Sequence, residues 1–437
     1  MASSSPGKPA RNLWTWIPSL YFAEGLPYVV VMTVSVIMYK KLGISNTEIA
    51  LYTSWLYLPW VIKPFWSPLV DVLRTKRWWI VTMQLLIGAG LAGVGLTIPT
   101  TNFLQYTLAF LWLMAFSSAT HDIAADGFYM LPLSTHEQAW FVGIRSTFYR
   151  LAMIAGQGLL VMLAGMFEQT MGVSAAWALV FYGLAGLFVL MGVYHWVMLP
   201  RPAEDRSRTR ADLSSVLAEV GYTFVSFFKK KQIVTILLFL LLYRFAEAQL
   251  VKMASPFLLD KSDVGGLGLS TGEVGFVYGT VGIVTLTVGG ILGGLVASRQ
   301  GLKYWLLWMV LAINLPNLVY VFLSQVQPES YLVVNLAVAV EQFGYGFGFT
   351  AYMLYMLYVS QGEHETAHYA ICTGFMALGM MLPGMVSGWL QELIGYQHFF
   401  IWVMIATIPS FLVCWFVEVD ENFGRERSGP ELEADTE

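Results

Sequence analysis

The chain has 437 residues, 57% of them hydrophobic and 12% charged, with a net charge of −4. Soluble domains carry about 25% charged residues, and a chain this apolar cannot cover itself with polar surface. A soluble globular protein is therefore excluded, and an all-α integral membrane protein is expected.

In chain order, apolar runs of bilayer-spanning length fall at 14–40, 48–70, 78–98, 103–131, 138–167, 174–199, 232–259, 271–298, 303–323, 331–360, 365–391 and 396–418. They predict twelve transmembrane helices, here spans 1 to 12. The first run follows the short polar stretch Met1 to Asn12 and is too long for a signal-peptide core, so it is expected to remain in the mature protein. Trp14, Trp16, Trp78, Trp79, Tyr304 and Trp305 mark span ends in the manner of an interfacial aromatic belt. Pro27, Pro59, Pro64, Pro316 and Pro383 lie inside spans and predict bends. Cys372 and Cys414 both fall in apolar runs, so no disulfide framework is expected.

Basic residues set the topology. Lys8 and Arg11 precede span 1, and Arg74, Lys76 and Arg77 follow span 2. Arg201, Arg206, Arg208, Arg210 and Lys229 to Lys231 fill the connection after span 6. Arg299 and Lys303 follow span 8, and Arg425 and Arg427 follow span 12. The opposite loops hold little beyond Lys40, Lys41 and Lys261. The positive-inside rule then places both termini in the cytoplasm.

The 200–231 connection divides the chain. Leu213, Val216, Leu217, Val220, Phe224, Phe227 and Phe228 share one helical face, which predicts an amphipathic helix on the inner membrane surface. A cytosolic extension of span 7 fits the same pattern. The expected organisation is a six-helix half over 1–199, a linker over 200–231, and a second half with a short cytoplasmic tail over 232–437. The halves read as repeats. Phe22-Ala23-Glu24-Gly25 matches Phe245-Ala246-Glu247-Ala248, and His136-Glu137-Gln138-Ala139 matches His364-Glu365-Thr366-Ala367. Leu69-Val70 before Arg77-Trp78-Trp79 likewise matches Leu295-Val296 before Lys303-Tyr304-Trp305.

Ionisable residues inside the spans are few. Glu24 lies in span 1; His121, Asp122 and Asp126 in span 4; Arg244 and Glu247 in span 7; Glu341 in span 10. An ionised side chain in hydrocarbon costs at least about 2.5–3.5 kcal/mol, so such groups face partners or a watery cavity. One charged span in three is the pattern of helices lining a central path. Glu24, Arg244 and Glu341 sit near the midplane by their distance from the helix ends and are expected to border one cavity, with Tyr28 and Glu247 beside them. A static ion-pair network between the halves fits the same residues. Asp122 and Asp126 share a helix face, at the depth of Lys63 on span 2 and Arg145 and Arg150 on span 5. They are candidates for proton coupling, because burying a carboxylate protonated costs far less than burying it charged. A brace between spans 4 and 5 is the alternative. His121 points about 100° away from Asp122 and reads as a packing or hydrogen-bonding group. In span 10, Gly344, Gly346 and Gly348 permit close helix contact, and Tyr345, Tyr352 and Tyr355 offer rings for a sugar. No phosphate-binding loop, zinc-ligand spacing, nucleophile elbow or Cys–His pair occurs, so no catalytic residue, metal or cofactor is expected.

Ser67-Pro-Leu-Val-Asp71-Val-Leu-Arg74-Thr-Lys76-Arg77, after span 2, resembles the loop signature of the major facilitator superfamily. With Tyr21-Phe-Ala-Glu24-Gly-Leu-Pro27-Tyr28, Lys63-Pro-Phe-Trp66 and Thr120-His-Asp-Ile-Ala-Ala-Asp126-Gly127, it resembles the AmpG-like branch of muropeptide permeases, related to acetyl-CoA transporters. The resemblance is clearest over 14–150. Ser67 stands where that signature has its first Gly, and no Gly follows Arg74. The resemblance implies twelve helices in two six-helix pseudo-repeats, alternating access and no enzymatic activity. It implies proton-driven import of cell-wall sugar-peptides across a bacterial inner membrane by a monomer, with protons, solute and lipid as partners and no nucleic acid. It also implies gating by Asp71 and Arg74, with Lys63 near the same end. Shorter relatives import siderophores, so a metal chelate is the second substrate class. A membrane sensor that binds without translocating is the third reading.

Overall fold

Apolar segments in a bilayer must satisfy their own backbone hydrogen bonds, so they fold as helices. The computed structural model of the protein describes residues 12–206, 211–362, 364–421 and 423–424. The side chains of Asp71, Leu213, Val216, Leu217 and Val220, and residues Lys8, Arg11, Arg208, Arg210, Arg425 and Arg427, lie outside the described residues. Among the described residues the fold is helical, without a strand. Ten helical runs are long and apolar enough to cross a membrane.

The helices are α1 (Leu13–Lys41), α2 (Asn46–Trp55), α3 (Leu58–Leu73), α4 (Lys76–Thr97), α5 (Phe103–Tyr129), α6 (Thr135–Met153) and α7 (Val161–Met171). They continue as α8 (Val173–Met198), α9 (Ala211–Phe228), α10 (Ile233–Leu259), α11 (Thr271–Gln300), α12 (Leu302–Val326), α13 (Tyr331–Ser360) and α14 (Glu365–Phe416). Several starts carry side-chain caps. The Ser45 hydroxyl accepts the Glu48 amide at 3.2 Å, and the Thr75 hydroxyl accepts that of Trp78 at 3.1 Å. Ser134 and Glu137 form a reciprocal capping box at the start of α6.

Two regions depart from one helix per span. Span 2 is expected as one run over 48–70, but the chain bends at Leu56 and Tyr57 into α2 and α3, of 10 and 16 residues. Pro59 opens α3, and Pro64 and Pro68 lie within it, removing amide donors that a straight helix would use. The 52 residues of α14 would reach about 78 Å, more than twice the ~30 Å hydrocarbon core. The run is broken at Gly395, whose φ of 74° and ψ of 164° are open essentially to glycine alone.

Most helices before α9 pack on one another, α4 against α5 and α8 and α1 against α6, whereas α2 and α3 pack chiefly on α14. Those after α9 also pack on one another, α13 against α11 and α12 and α10 against α14. The two groups meet along seams. At one end the seam is polar. Lys40 pairs with Asp260 at 2.7 Å, and the Asn46 amide donates to Gln391 at 2.6 Å and to the Tyr396 hydroxyl at 2.9 Å. Tyr396 in turn donates to Asp260 at 2.7 Å. Glu168 accepts from Thr271 at 2.7 Å and faces Lys41 at 3.4 Å. From the middle of α3 the contact is apolar. Phe65 stacks on Phe224 of α9 at 4.8 Å, and Phe227 and Phe228 pack on Phe375. Between the ends, α6 passes into α7 through a wide π-helical turn, Ile154–Leu160, which crosses a second such turn in α11, Gly275–Gly282. Gly279 lies there against the backbone of Gln157 and Gly158, too close for any Cβ.

Candidate functional site

Three of the membrane-embedded charges, Glu24, Arg145 and Arg150, line one cavity. It has a volume of about 510 Å³ and is lined by Tyr21, Glu24, Arg145, Tyr149, Arg150 and Tyr345, with apolar residues of α11 and α13. Helices from both sides of the α9 connection thus contribute to it. The cavity lies in the range that small-molecule sites occupy.

On its first wall, Asp126 and Arg145 form an ion pair at 2.6 Å. The Tyr21 hydroxyl donates to the same carboxylate at 3.3 Å, and the guanidinium lies 4.4 Å from the Tyr21 ring centre and 5.0 Å from that of Tyr129. Helix periodicity explains the layout, since Asp122 and Asp126 sit one turn apart on α5. Asp122 is held separately. Its carboxylate accepts the Trp60 indole N–H at 3.0 Å and faces Lys63 at 3.7 Å. Lys63 therefore serves an acid within the helices rather than the loop after α3. Tyr28 packs edge-on against Trp60 at 5.2 Å. Glu24 is only 8% exposed, and its Oε2 has no hydrogen-bond partner among the described residues.

On the opposite wall, Arg244 clasps Glu247 with two hydrogen bonds of 2.8 and 2.9 Å. Such bidentate pairs are strong and directional. The pair forms because α10 is interrupted at Arg244, leaving Glu247 in the first turn of the helical stretch that follows. Arg244 also donates to the Tyr345 hydroxyl at 2.7 Å and sits over the Phe349 ring at 4.7 Å.

The expectation that Glu24, Arg244 and Glu341 border one cavity holds for Glu24 alone. Arg244 is turned onto Glu247 and Tyr345, one layer behind the ring that faces the space. Glu341 is 2% exposed and accepts the Gln342 amide at 2.9 Å, away from the lining. Tyr352 is also outside the lining. Its hydroxyl donates to the Leu240 carbonyl at 2.6 Å, and its ring stacks on Phe239 and Phe349. Arg74 is exposed beside the Trp78 ring, and the Asp71 side chain lies outside the described residues.

Two buried polar features escape the sequence reading. Gln84 bridges two histidines, donating to His121 Nε2 at 3.0 Å and accepting from His195 Nδ1 at 2.9 Å. Ser19 meets the far nitrogen of His195 at 2.9 Å. Lys252, 2% exposed, lies in α10 five residues after Glu247. Its charge inside an apolar run was the available signal.

The model of the Major Facilitator Superfamily matches residues 19–371. The anhydromuropeptide permease of Escherichia coli is 26% identical over 423 residues, covering 92% of this chain and 81% of that protein. A Rickettsia conorii protein named as an AmpG transporter is 25% identical over 414 residues, covering 92% and 96%. Among solved structures, a D-xylose-proton symporter superposes with a TM-score of 0.71 at 11% identity, covering 94% of this chain and 98% of that one. The nucleoside transporter NupG gives 0.67 at 14%, covering 93% and 98%. At such identities the structures establish the fold alone.

Proposed function

The chain belongs to the Major Facilitator Superfamily, and on that premise we propose that it is a proton-coupled importer of cell-wall sugar-peptides of the anhydromuropeptide class. It is a multi-pass membrane transporter rather than an enzyme. In this reading α2 with α3 form one span and the arms of α14 on either side of Gly395 form two. With the nine other runs that makes twelve spans, six before α9 and six after it. The protein acts as a monomer in a bacterial inner membrane with both termini cytoplasmic. The Lys40–Asp260 seam then closes the extracytoplasmic side. The linker helix α9 lies at the inner membrane surface.

The observation that carries the coupling is the Asp126–Arg145 ion pair, whose Arg lines the cavity beside Glu24. Protonating Asp126 releases Arg145 into the cavity, and an anionic solute bound by that Arg favours the protonated carboxylate. Solute and proton thus bind together. The cell-wall substrate is supported by the relative named anhydromuropeptide permease, which matches 92% of this chain.

The test uses proteoliposomes, radiolabelled anhydromuropeptide and an imposed pH gradient. Wild type should accumulate the solute. Asp122→Asn and Asp126→Asn should exchange it across the membrane while losing most gradient-driven accumulation. Accumulation by both variants at the wild-type level would move the proton site to Glu24 or Glu341. Uptake of a ferric siderophore in place of the anhydromuropeptide would replace the substrate reading. Saturable binding without uptake of either would favour a sensor.

A further inference from the structure

Surfaces that close one side of an alternating-access transporter become cavity walls when that side opens. In the polar seam, Lys40 has Asp260 and Lys41 has Glu168. Lys252 differs from both. Its ammonium donates to the Thr53 hydroxyl at 2.9 Å and lies 5.3 Å from the Tyr57 ring centre. No carboxylate stands within ion-pair distance of it among the described residues. An ammonium has three donors. Stripped of water, it costs several kcal/mol unless an opposite charge offsets that penalty. One hydroxyl and one ring face offset only part of it.

The surroundings are prepared for more than Thr53. Ser54 and Ser255 have buried hydroxyls without a hydrogen-bond partner. Ser255 is one turn beyond Lys252 on the same face of α10. Gly384 of α14 is close to both the Ser54 hydroxyl and the Lys252 stem, so its missing side chain leaves them adjacent. Ser54 and the Lys252 stem therefore flank Gly384 where α2, α10 and α14 meet, with Ser255 one turn further along α10.

We propose that Lys252, with Ser54 and Ser255, is the subsite for a carboxylate of the transported solute, exposed when the halves part along this seam. This rests on the anhydromuropeptide reading, and it assigns the peptide carboxylate rather than the sugar to this end. In the closed state the Thr53 hydroxyl replaces the carboxylate on Lys252. Closure of the seam thereby displaces the anion toward the cavity, which favours release on the other side.

The experiment measures uptake into proteoliposomes of two labelled probes, an anhydromuropeptide with free peptide carboxylates and its fully carboxamidated form. One charge-assisted contact predicts that wild type takes the acid with a KM at least about tenfold lower than the carboxamide. In Lys252→Met that ratio should fall severalfold, leaving only the part that Arg145 supplies, and in Lys252→Arg it should persist. A wild-type ratio in Lys252→Met, or equal loss of both probes in Lys252→Met and Lys252→Arg, overturns the Lys252 assignment alone. Failure of wild type to take up either probe overturns the substrate reading and this inference with it.

Discussion

Arg244 and Glu247 form the most completely buried ion pair of the site, with side-chain exposures of 9% and 2%. Removing one partner leaves the other charged in a place where water cannot reach it. Breaking such a pair costs about 3–5 kcal/mol, whereas replacing both members by apolar side chains is often near neutral. Arg244→Met and Glu247→Met should each destabilise by about that amount. The specific unfolding entropy of globular proteins, scaled to this chain length, gives about 0.9 kcal/mol per degree. Each single variant should therefore unfold roughly 3–5 °C below wild type in detergent. The double variant should fall no further than either single one, which corresponds to a coupling energy of at least about 3 kcal/mol. The assay is a thermal double-mutant cycle on purified protein, read by tryptophan fluorescence. Additive losses would refute the reasoning, because they would mean that the two side chains do not depend on each other.

Two further predictions concern movement. With Cys372 and Cys414 replaced by Ser, a Lys40→Cys, Asp260→Cys pair joined by a reducible bifunctional thiol reagent should abolish uptake, and reduction should restore it; unimpaired transport by the linked protein would show that this seam does not open. Gly279→Ala should reduce uptake strongly, since its Cβ would press on the Gln157 carbonyl, whereas Gly294→Ala in the same helix meets open space and should transport normally.

Much of the fold was legible because lipid imposes a simple rule. An apolar run of about 20 residues becomes a helix, and its charges must find company. The Asp126–Arg145 contact followed from matched depth on consecutive helices. Other features were not legible. Depth along a helix says nothing of azimuth, so Glu341 was placed beside Glu24 although it turns toward Gln342. The wide turns at Ile154–Leu160 and Gly275–Gly282 shift the helical phase, and no composition marks them except several glycines. The Gln84 bridge joins side chains 37 and 111 residues away, which periodicity within one segment cannot connect. Pro59 did signal the bend between α2 and α3, but the continuous apolar character around it concealed that the helix breaks there into two.

The contrast between the ends of the inter-half contact has a thermal consequence. The end at Lys40, Asn46, Asp260 and Tyr396 is held by hydrogen bonds and ion pairs. The end at Phe65, Phe224, Phe228 and Phe375 is held by rings. Ionic strength weakens the first modestly, since its ion pair is largely buried, and leaves the second nearly untouched. Cooling weakens apolar association where water reaches the parted surfaces, with little effect on the ion pairs. Salt and cold therefore push the protein toward opposite conformations. When both changes come at once, the balance between the two contacts shifts less than under either change alone.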